Sequence, residues 1–279
     1  MMMADPAVSV SAQAQVLQLF WKPAPGVWVE SQPRLLLQRG YGIDGDANAK
    51  AGSPRQVLLA GQPSLDRFGL TAGDLQENIL LDLEIEALAS GMVVQLGDSA
   101  QIRLMELCIP CAALDHLQPG LSRRIRGKRG LLGMVIQDGE VRVGDRLSIL
   151  PQSFPALPDS NRGKFEAFVA RIPPGTVVRM PDLLLAMGVA SSYARAVPAL
   201  IKKAPPHLPV HRLLTTDGHL FSRHIPHQAD QLIAEGIAIQ EGRVTPDYAW
   251  NPQHFYALDP SLSPANSSYL SSPPEQDVS

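Results

Sequence analysis

Ser191-Ser192-Tyr193-Ala194-Arg195-Ala196-Val197-Pro198-Ala199-Leu200-Ile201-Lys202-Lys203, followed closely by Leu208-Pro209-Val210-His211-Arg212, decides how the second half of this chain is read. Ser191 or Ser192 can cap a helix over residues 193–203, because a hydroxyl oxygen accepts from the unpaired N–H groups of a first turn. Upstream, residues 182–187 read as a helix that stops at Gly188, and 164–172 as another that ends at Pro173-Pro174-Gly175. Helix, short glycine-containing turn, helix is the helix-turn-helix arrangement. A later helix is expected over 228–235, and after Pro252 the chain turns Ser/Pro-rich, so that 259–279 reads as a disordered tail.

The first half has a different rhythm. Short apolar or alternating runs at 16–20, 56–59, 92–96, 102–107, 132–136 and 146–150 read as strands. Gly-Asp and Asp-Gly pairs punctuate them, at Asp44-Gly45-Asp46, Gly73-Asp74, Gly97-Asp98, Asp138-Gly139 and Gly144-Asp145. Such pairs tolerate the positive φ of tight turns. Many short strands with frequent turns suggest a barrel or sandwich. Helices are expected near 62–68 and 112–118, and residues 1–13 read as loose. The Pro/Ser-rich residues 151–161 read as a linker. The expectation is therefore multidomain: a mainly-β domain over 14–150 and a mainly-α helix-turn-helix domain over 162–258.

At 279 residues, two domains can each bury a core. No apolar run approaches the roughly 20 residues of a membrane span, and no basic-then-apolar leader opens the sequence, so no membrane partner and a cytoplasmic location are expected. Two cysteines do not make a disulfide framework. Charge is uneven. Residues 1–161 hold 14 Lys+Arg against 17 Asp+Glu, and 162–258 hold 10 against 7 with six of the seven histidines. A mildly basic second domain suits an anionic partner, though the excess is small.

Cys108-Ile109-Pro110-Cys111 follows an expected strand. One pair supplies no four-ligand zinc site, so no zinc is expected. Two readings stand: a pair of buried cysteines acting as small hydrophobes, or a reactive thiol at Cys111, whose place before a helix would lower its pKa. Arg123, Arg124, Arg126, Lys128 and Arg129 form the densest basic run, either a solvated loop or a phosphate clamp. Taken with Gly42-Ile43-Asp44-Gly45-Asp46, Arg55-Gln56-Val57-Leu58-Leu59, Glu77-Asn78-Ile79, Gly91 to Gly97 and Val143-Gly144-Asp145, this half resembles the MOSC domain, the C-terminal module of molybdenum-cofactor sulfurases. The resemblance implies a β-barrel, with the family's reactive cysteine at Cys111 holding a persulfide or coordinating molybdenum. It also implies the molybdenum cofactor, or a sulfur donor protein, as partner. Where the family often carries His, this chain has Asn48.

The second half resembles the DNA alkylguanine alkyltransferases, in which a Pro-Cys-His-Arg element carries the alkyl-accepting thiol. Here Val210 occupies that place, and an isopropyl group cannot accept an alkyl group. The resemblance therefore implies an alkyltransferase-like protein with a winged-helix-like domain that binds DNA in the minor groove without repairing it. It places Arg195 in the base stack, with Tyr193 and Met180 beside the DNA. Val210, His211, Arg212 and Glu235 would surround the pocket for a rotated-out nucleotide. Tyr248 and Trp250 are either part of that family's C-terminal extension or core aromatics. Three substitutions depart from the pattern: Met180 for Tyr, Pro198 for Gly, and Ala204 where Asn usually precedes the proline. Pro198, inside the expected helix, predicts a kink.

Overall fold

A computed structural model describes residues 14–251. The loose segment 1–13 and the tail 259–279 expected from composition lie outside those residues. The chain separates into two compact units. One comprises the described residues through Lys164 together with Leu185–Gly188; the other comprises Phe165–Leu184 and the described residues from Val189 onward.

In the first unit, seven strands close on themselves: β1 (Ala14–Trp21), β5 (Val57–Gly61), β6 (Ile79–Leu81), β7 (Met92–Leu96), β8 (Ala100–Leu107), β9 (Leu131–Gln137) and β11 (Arg146–Ser153). The order around the barrel is β11-β7-β8-β9-β5-β6-β1, and β1 pairs back with β11 through Ala14 opposite Leu147. Only β5 and β6 run parallel in this ring. A short β2 (Glu30–Gln32) adds to β1, and β10 (Gly139–Arg142), β3 (Arg34–Gln38) and β4 (Gly42–Ile43) form a separate three-stranded sheet. Closure removes sheet edges that would otherwise offer unpaired N–H and C=O groups.

The barrel interior is aliphatic, with Val16, Leu19, Val57, Leu59, Ile79, Leu81, Val94, Ile102, Leu104 and Val135 among its buried residues. All five residues of β5 are buried because its outer face is covered as well. There Ala60 and Leu80 pack with Leu65 of α1 (Gln62–Phe68), with Leu114, and with Leu121 and Ile125. This outer layer anchors the excursion between β8 and β9, which carries Cys111 and the basic run.

The sequence motifs of the barrel are mostly buried polar braces. The Asn78 side chain accepts from the Leu58 N–H at 3.0 Å and donates to Asp46 at 3.0 Å and to the Phe20 carbonyl at 3.3 Å. Gln56 donates to the Gly40 carbonyl at 2.7 Å and accepts from the Val135 N–H at 3.0 Å. Each group crosses between strands that would otherwise bury an unpaired amide. Asn78→Ala should cost about 2–3 kcal/mol of unfolding free energy. Urea denaturation checks this, and a loss below about 0.5 kcal/mol would refute the bracing role.

β11 continues through Pro151 to Ser153, so the expected linker begins inside the barrel. Phe154 is buried at 7% exposure, with the Arg103 guanidinium 4.5 Å from its ring centroid. Arg103 also donates to the Pro155 carbonyl at 2.9 Å, and the Leu157 N–H donates to Ser90 Oγ. These contacts make residues 151–157 part of the barrel's packing, a correction to the reading of a free linker.

The second unit begins in α3 (Asn161–Val169). The next helix, α4 (Met180–Ala186), ends near Gly188, whose φ is +67°. The expected third helix is two elements, a 3-10 segment Ser191–Ala196 and α5 (Val197–Lys202). Pro198 falls in the first turn of α5, where no intrahelical N–H partner is missing, so the expected kink is absent. The two helical segments, Met180–Ala186 and Ser191–Lys202, meet at 111°, within the range of a helix-turn-helix. No single helix among the described residues is long and apolar enough to cross a membrane. α6 (Gln228–Ala234) follows, then a hairpin of β14 (Ile239–Gln240) and β15 (Arg243–Val244), which are preceded in the chain by β12 (Val178–Arg179) paired in parallel with β13 (Leu213–Leu214).

Candidate functional site

β8 ends one residue before Cys108, whose N–H donates to the Gly130 carbonyl at 2.9 Å. Cys108 is 4% exposed and packs with Leu58 and Leu132. Burial pushes its thiol pKa up, against the pull of the Arg129 and Arg55 guanidinium groups. Residues 108–111 form neither turn nor helix, and Cys111 is exposed. The two sulfurs thus occupy opposite environments, one in the core and one at the surface. This differs from a redox pair, which opens a helix and faces one medium.

Cys111 caps a 3-10 segment, Ala112–His116, rather than the helix expected over 112–118. Leu114 is that segment's buried residue, and Pro119-Gly120 follows it. Five residues in 3-10 geometry do not supply the aligned dipoles of a helix N-terminus, so that argument for activating Cys111 falls away. What remains is exposure: the thiol stands beside Ala112 and Ala113, both exposed, with Ile109 70% exposed.

The basic run does not assemble as a clamp of five. In α2 (Leu121–Arg124), Leu121 faces the core, and Ile125 a turn later does the same, so Arg123, Arg124 and Arg126 face outward. Arg124 donates to Gln118 at 2.6 Å. Lys128 pairs with Glu84. Arg129 bridges two main-chain carbonyls, donating to Ile109 at 3.1 Å and Leu75 at 3.2 Å. It braces the loop rather than offering its fork to a ligand. Among the described residues no group of three His, Cys, Asp or Glu side chains could hold a metal, and the donor offered here is the single exposed thiol of Cys111. These residues do not fit a clamped molybdenum cofactor. Asn48, in the place of the family's His, is exposed, and its N–H donates to Asp46 at 2.7 Å.

In the second unit the pocket residues are brought together. Val210 opens a 3-10 turn, Val210–Arg212, and is half-buried. His211 Nε2 lies 2.8 Å from Glu235 Oε1. Arg212 approaches the same carboxylate, with Nε at 3.0 Å from both oxygens and a terminal nitrogen at 2.7 Å, while its other terminal nitrogen donates to the Ile172 carbonyl. The Gly175 N–H donates to Glu235 Oε2 at 3.1 Å. Burial alone would push the Glu235 carboxyl up, but the Arg212, His211 and Gly175 bonds outweigh it and hold the pKa at about 2. His211, Arg212 and Glu235 form a charged brace that ties three segments of chain together, around 172–175, 211–212 and 235.

Arg195 is exposed at the end of its 3-10 segment, and Tyr193 is half-buried two residues earlier. Met180 is 8% exposed, which leaves little side chain to touch a duplex. Trp250 is 5% exposed and meets Phe168 edge-on at 5.3 Å, and Tyr248 packs on the cluster of Val177, Leu214 and Leu232. Trp250 is a core aromatic, and Tyr248 is half-buried against the core. One important residue carried no sequence signal. Gln228, 2% exposed at the start of α6, donates to the carbonyls of His211 at 2.9 Å and Leu213 at 2.7 Å and accepts from the Phe221 N–H at 2.6 Å. A polar residue opening a helix looks like any surface amide until its partners are known. A separate cleft of about 830 Å³ opens beside Arg179, Thr216, Asp217, Glu241 and Arg243, away from the motif that holds Val210.

The MOSC domain family matches residues 49–148. The crystal structure of Schizosaccharomyces pombe (S. pombe) Atl1 in complex with damaged DNA containing O6-carboxymethylguanine is similar to part of this chain at 31% identity, covering 34% of this chain and 98% of that chain with a TM-score of 0.31. The YUAD protein of Bacillus subtilis is similar at 19% identity, with 51% and 97% covered and a TM-score of 0.42. YiiM of Escherichia coli is similar at 17%, with 66% and 91% covered and a TM-score of 0.40. No curated protein matches the chain.

Proposed function

The chain joins a MOSC domain to a region of the alkyltransferase-like family, and on that premise we propose that it couples a sulfur-carrying thiol at Cys111 to a DNA-binding surface that recognises alkylated guanine without repairing it. The observation that carries the DNA half is the pairing of Val210 with an intact frame. His211, Arg212 and Glu235 keep the 3-10 turn in place, while the residue between Pro209 and His211 has no nucleophilic atom. Such a site can hold a base but cannot take its alkyl group. The helix pair at 111° and the β14–β15 hairpin support a winged-helix reading. Arg195 is the exposed side chain available to enter a base stack.

For the barrel, an exposed Cys111 beside a buried Cys108 supports persulfide carriage rather than dithiol chemistry. The Cys111 thiolate attacks the outer sulfur of a donor persulfide. A sulfur–sulfur bond forms at Cys111, and the donor's own sulfur leaves as its thiolate. An alkyltransferase-like domain over 162–258 and a cytoplasmic location belong to the same reading.

Fluorescence anisotropy with the full chain tests the DNA half, using duplexes with and without one O6-alkylated guanine at two salt concentrations. Tighter binding to the alkylated duplex is expected, weakened about tenfold or more in Arg195→Ala. Equal, weak and steeply salt-dependent binding to both duplexes would leave only a charge effect. For the barrel, incubation with a persulfidated donor should load cyanide-labile sulfur on the wild type and none on Cys111→Ser. Equal loading of the two would remove Cys111 from the reaction.

A further inference from the structure

The surface around Cys111 is apolar at its centre and basic at its edge, and we propose that it is a docking face for an acidic protein that presents a sulfur-bearing cysteine. The proposal deepens the persulfide reading above by naming the partner's surface chemistry.

Leu107 is 46% exposed and Ile109 70% exposed, on either side of buried Cys108. Cys111 itself is exposed, and so are the small Ala112 and Ala113 that follow it. An isopropyl-sized or larger side chain left in water forgoes the gain that burial would supply. Leu114, Leu121 and Ile125 on the same excursion take that gain; Leu107 and Ile109 do not. Exposed aliphatics of this kind, beside a reactive atom, serve an interface better than a fold.

The charge is fixed beside the thiol by two bonds. Asp115 accepts from the Ser122 N–H at 2.8 Å, which ties α2 to the 3-10 segment that Cys111 caps. Arg129 donates to the Ile109 carbonyl at 3.1 Å, which ties the end of the basic run to the cysteine loop. Between residues 108 and 130 the sequence has five bases and one acid, Asp115. Lys128 is paired with Glu84 and Arg129 is turned inward, but Arg123, Arg124 and Arg126 are exposed. Small ligands are held in concavities that bury most of their surface. This thiol stands on an exposed loop, which suits a partner that brings its own surface. A rim of one sign selects the opposite sign and speeds encounter, while Ile109 supplies an apolar anchor at the centre.

The test is thiol–disulfide exchange between the full chain and two synthetic peptides, each carrying one cysteine as its 2-pyridyl disulfide. One peptide is rich in glutamate, and the other has lysine at the same positions. The Cys111 thiolate displaces 2-thiopyridone, which takes up a proton and is read by absorbance; Cys111→Ser is the blank. The acidic peptide should react about tenfold faster at low ionic strength. The difference should vanish near 1 M salt, where the Debye length is about 3 Å. In the double variant Arg123→Glu, Arg126→Glu the preference should reverse, while the rate with uncharged 2,2′-dipyridyl disulfide stays unchanged and shows the thiol and the fold intact. Equal rates for the two peptides, or a preference untouched by charge reversal, would overturn the docking face. A charge preference in a protein that never takes up persulfide sulfur would sink the persulfide reading and keep the face.

Discussion

Glu235→Ala is expected to destabilise the second unit by about 3–5 kcal/mol, the range for removing one partner of a buried ion pair. Arg212, His211 and Glu235 have side chains only 12%, 15% and 16% exposed. Without the carboxylate, the guanidinium keeps a single bond to the Ile172 carbonyl, and the Gly175 N–H loses its acceptor. Both then sit away from water with their charge or dipole uncompensated. Glu235→Gln should cost less, because an amide oxygen still accepts one bond. Acidity gives an independent check. The carboxyl's folded value of about 2 lies below its ordinary 4.5. A depressed carboxyl value means that this contribution is complete above pH 4.5 and is lost as pH falls toward 2. Across that window it amounts to about 3 kcal/mol. Hydrogen exchange on the full chain separates the units. Protection should fall in Gln228–Ala234 and Val178–Arg179 in the variant while the barrel strands keep theirs. Unchanged protection there would show that Glu235 is not a brace. Because the same carboxylate fixes the turn beside Val210, the DNA binding proposed above should be lost together with stability.

The strands were readable because apolar runs and Gly-Asp turns are local signals, and β7, β8 and β9 fall close to where they were expected. What escaped were features decided across the chain. β11 passes through Pro151 because Phe154 finds Arg103 and Pro155 accepts from it, and no local pattern announces that. Five basic residues in seven looked like one charged surface. Lys128 and Arg129 are drawn inward by Glu84, 44 residues away, and by the Leu75 carbonyl, 54 residues away. The kink expected at Pro198 assumed one continuous helix; the junction after Ala196 makes it a starting residue instead. At the pocket, motif order alone indicated that His211, Arg212 and Glu235 would meet. It could not indicate Gln228, whose three partners all lie upstream and in other elements. Met180 is the converse case: its place beside the motif suggested the DNA face, and packing took it into the core.

Gly91→Ala should be among the most damaging single-methyl changes in the barrel, at about 3–5 kcal/mol. Gly91 has a φ of +91°, which an L side chain rarely adopts, and a Cβ there would lie 2.1 Å from the Phe154 carbonyl oxygen. That oxygen belongs to backbone that cannot easily retreat, because the Phe154 N–H donates to the Gly91 carbonyl at 2.8 Å. On the other side the Gly91 N–H donates to Leu104 at 2.8 Å, so the glycine is stitched to two neighbouring strands. Gly97→Ala is the contrasting case. Its φ is +57° and the methyl would meet Asp145 Oδ2, a side-chain atom that can swing aside. A cost of about 1–2 kcal/mol is expected there. Thermal unfolding ranks the two, and equal losses would mean that side-chain crowding, not the closed backbone seam, limits this position. The seam also bears on the site. Leu104 lies four residues before Cys108 on the strand that leads to the cysteine loop, so strain at Gly91 should loosen that strand. In a Cys111→Ser background the buried thiol of Cys108 then becomes the reporter: its alkylation should be slow in the parent and faster in Gly91→Ala, in step with the population of the opened barrel.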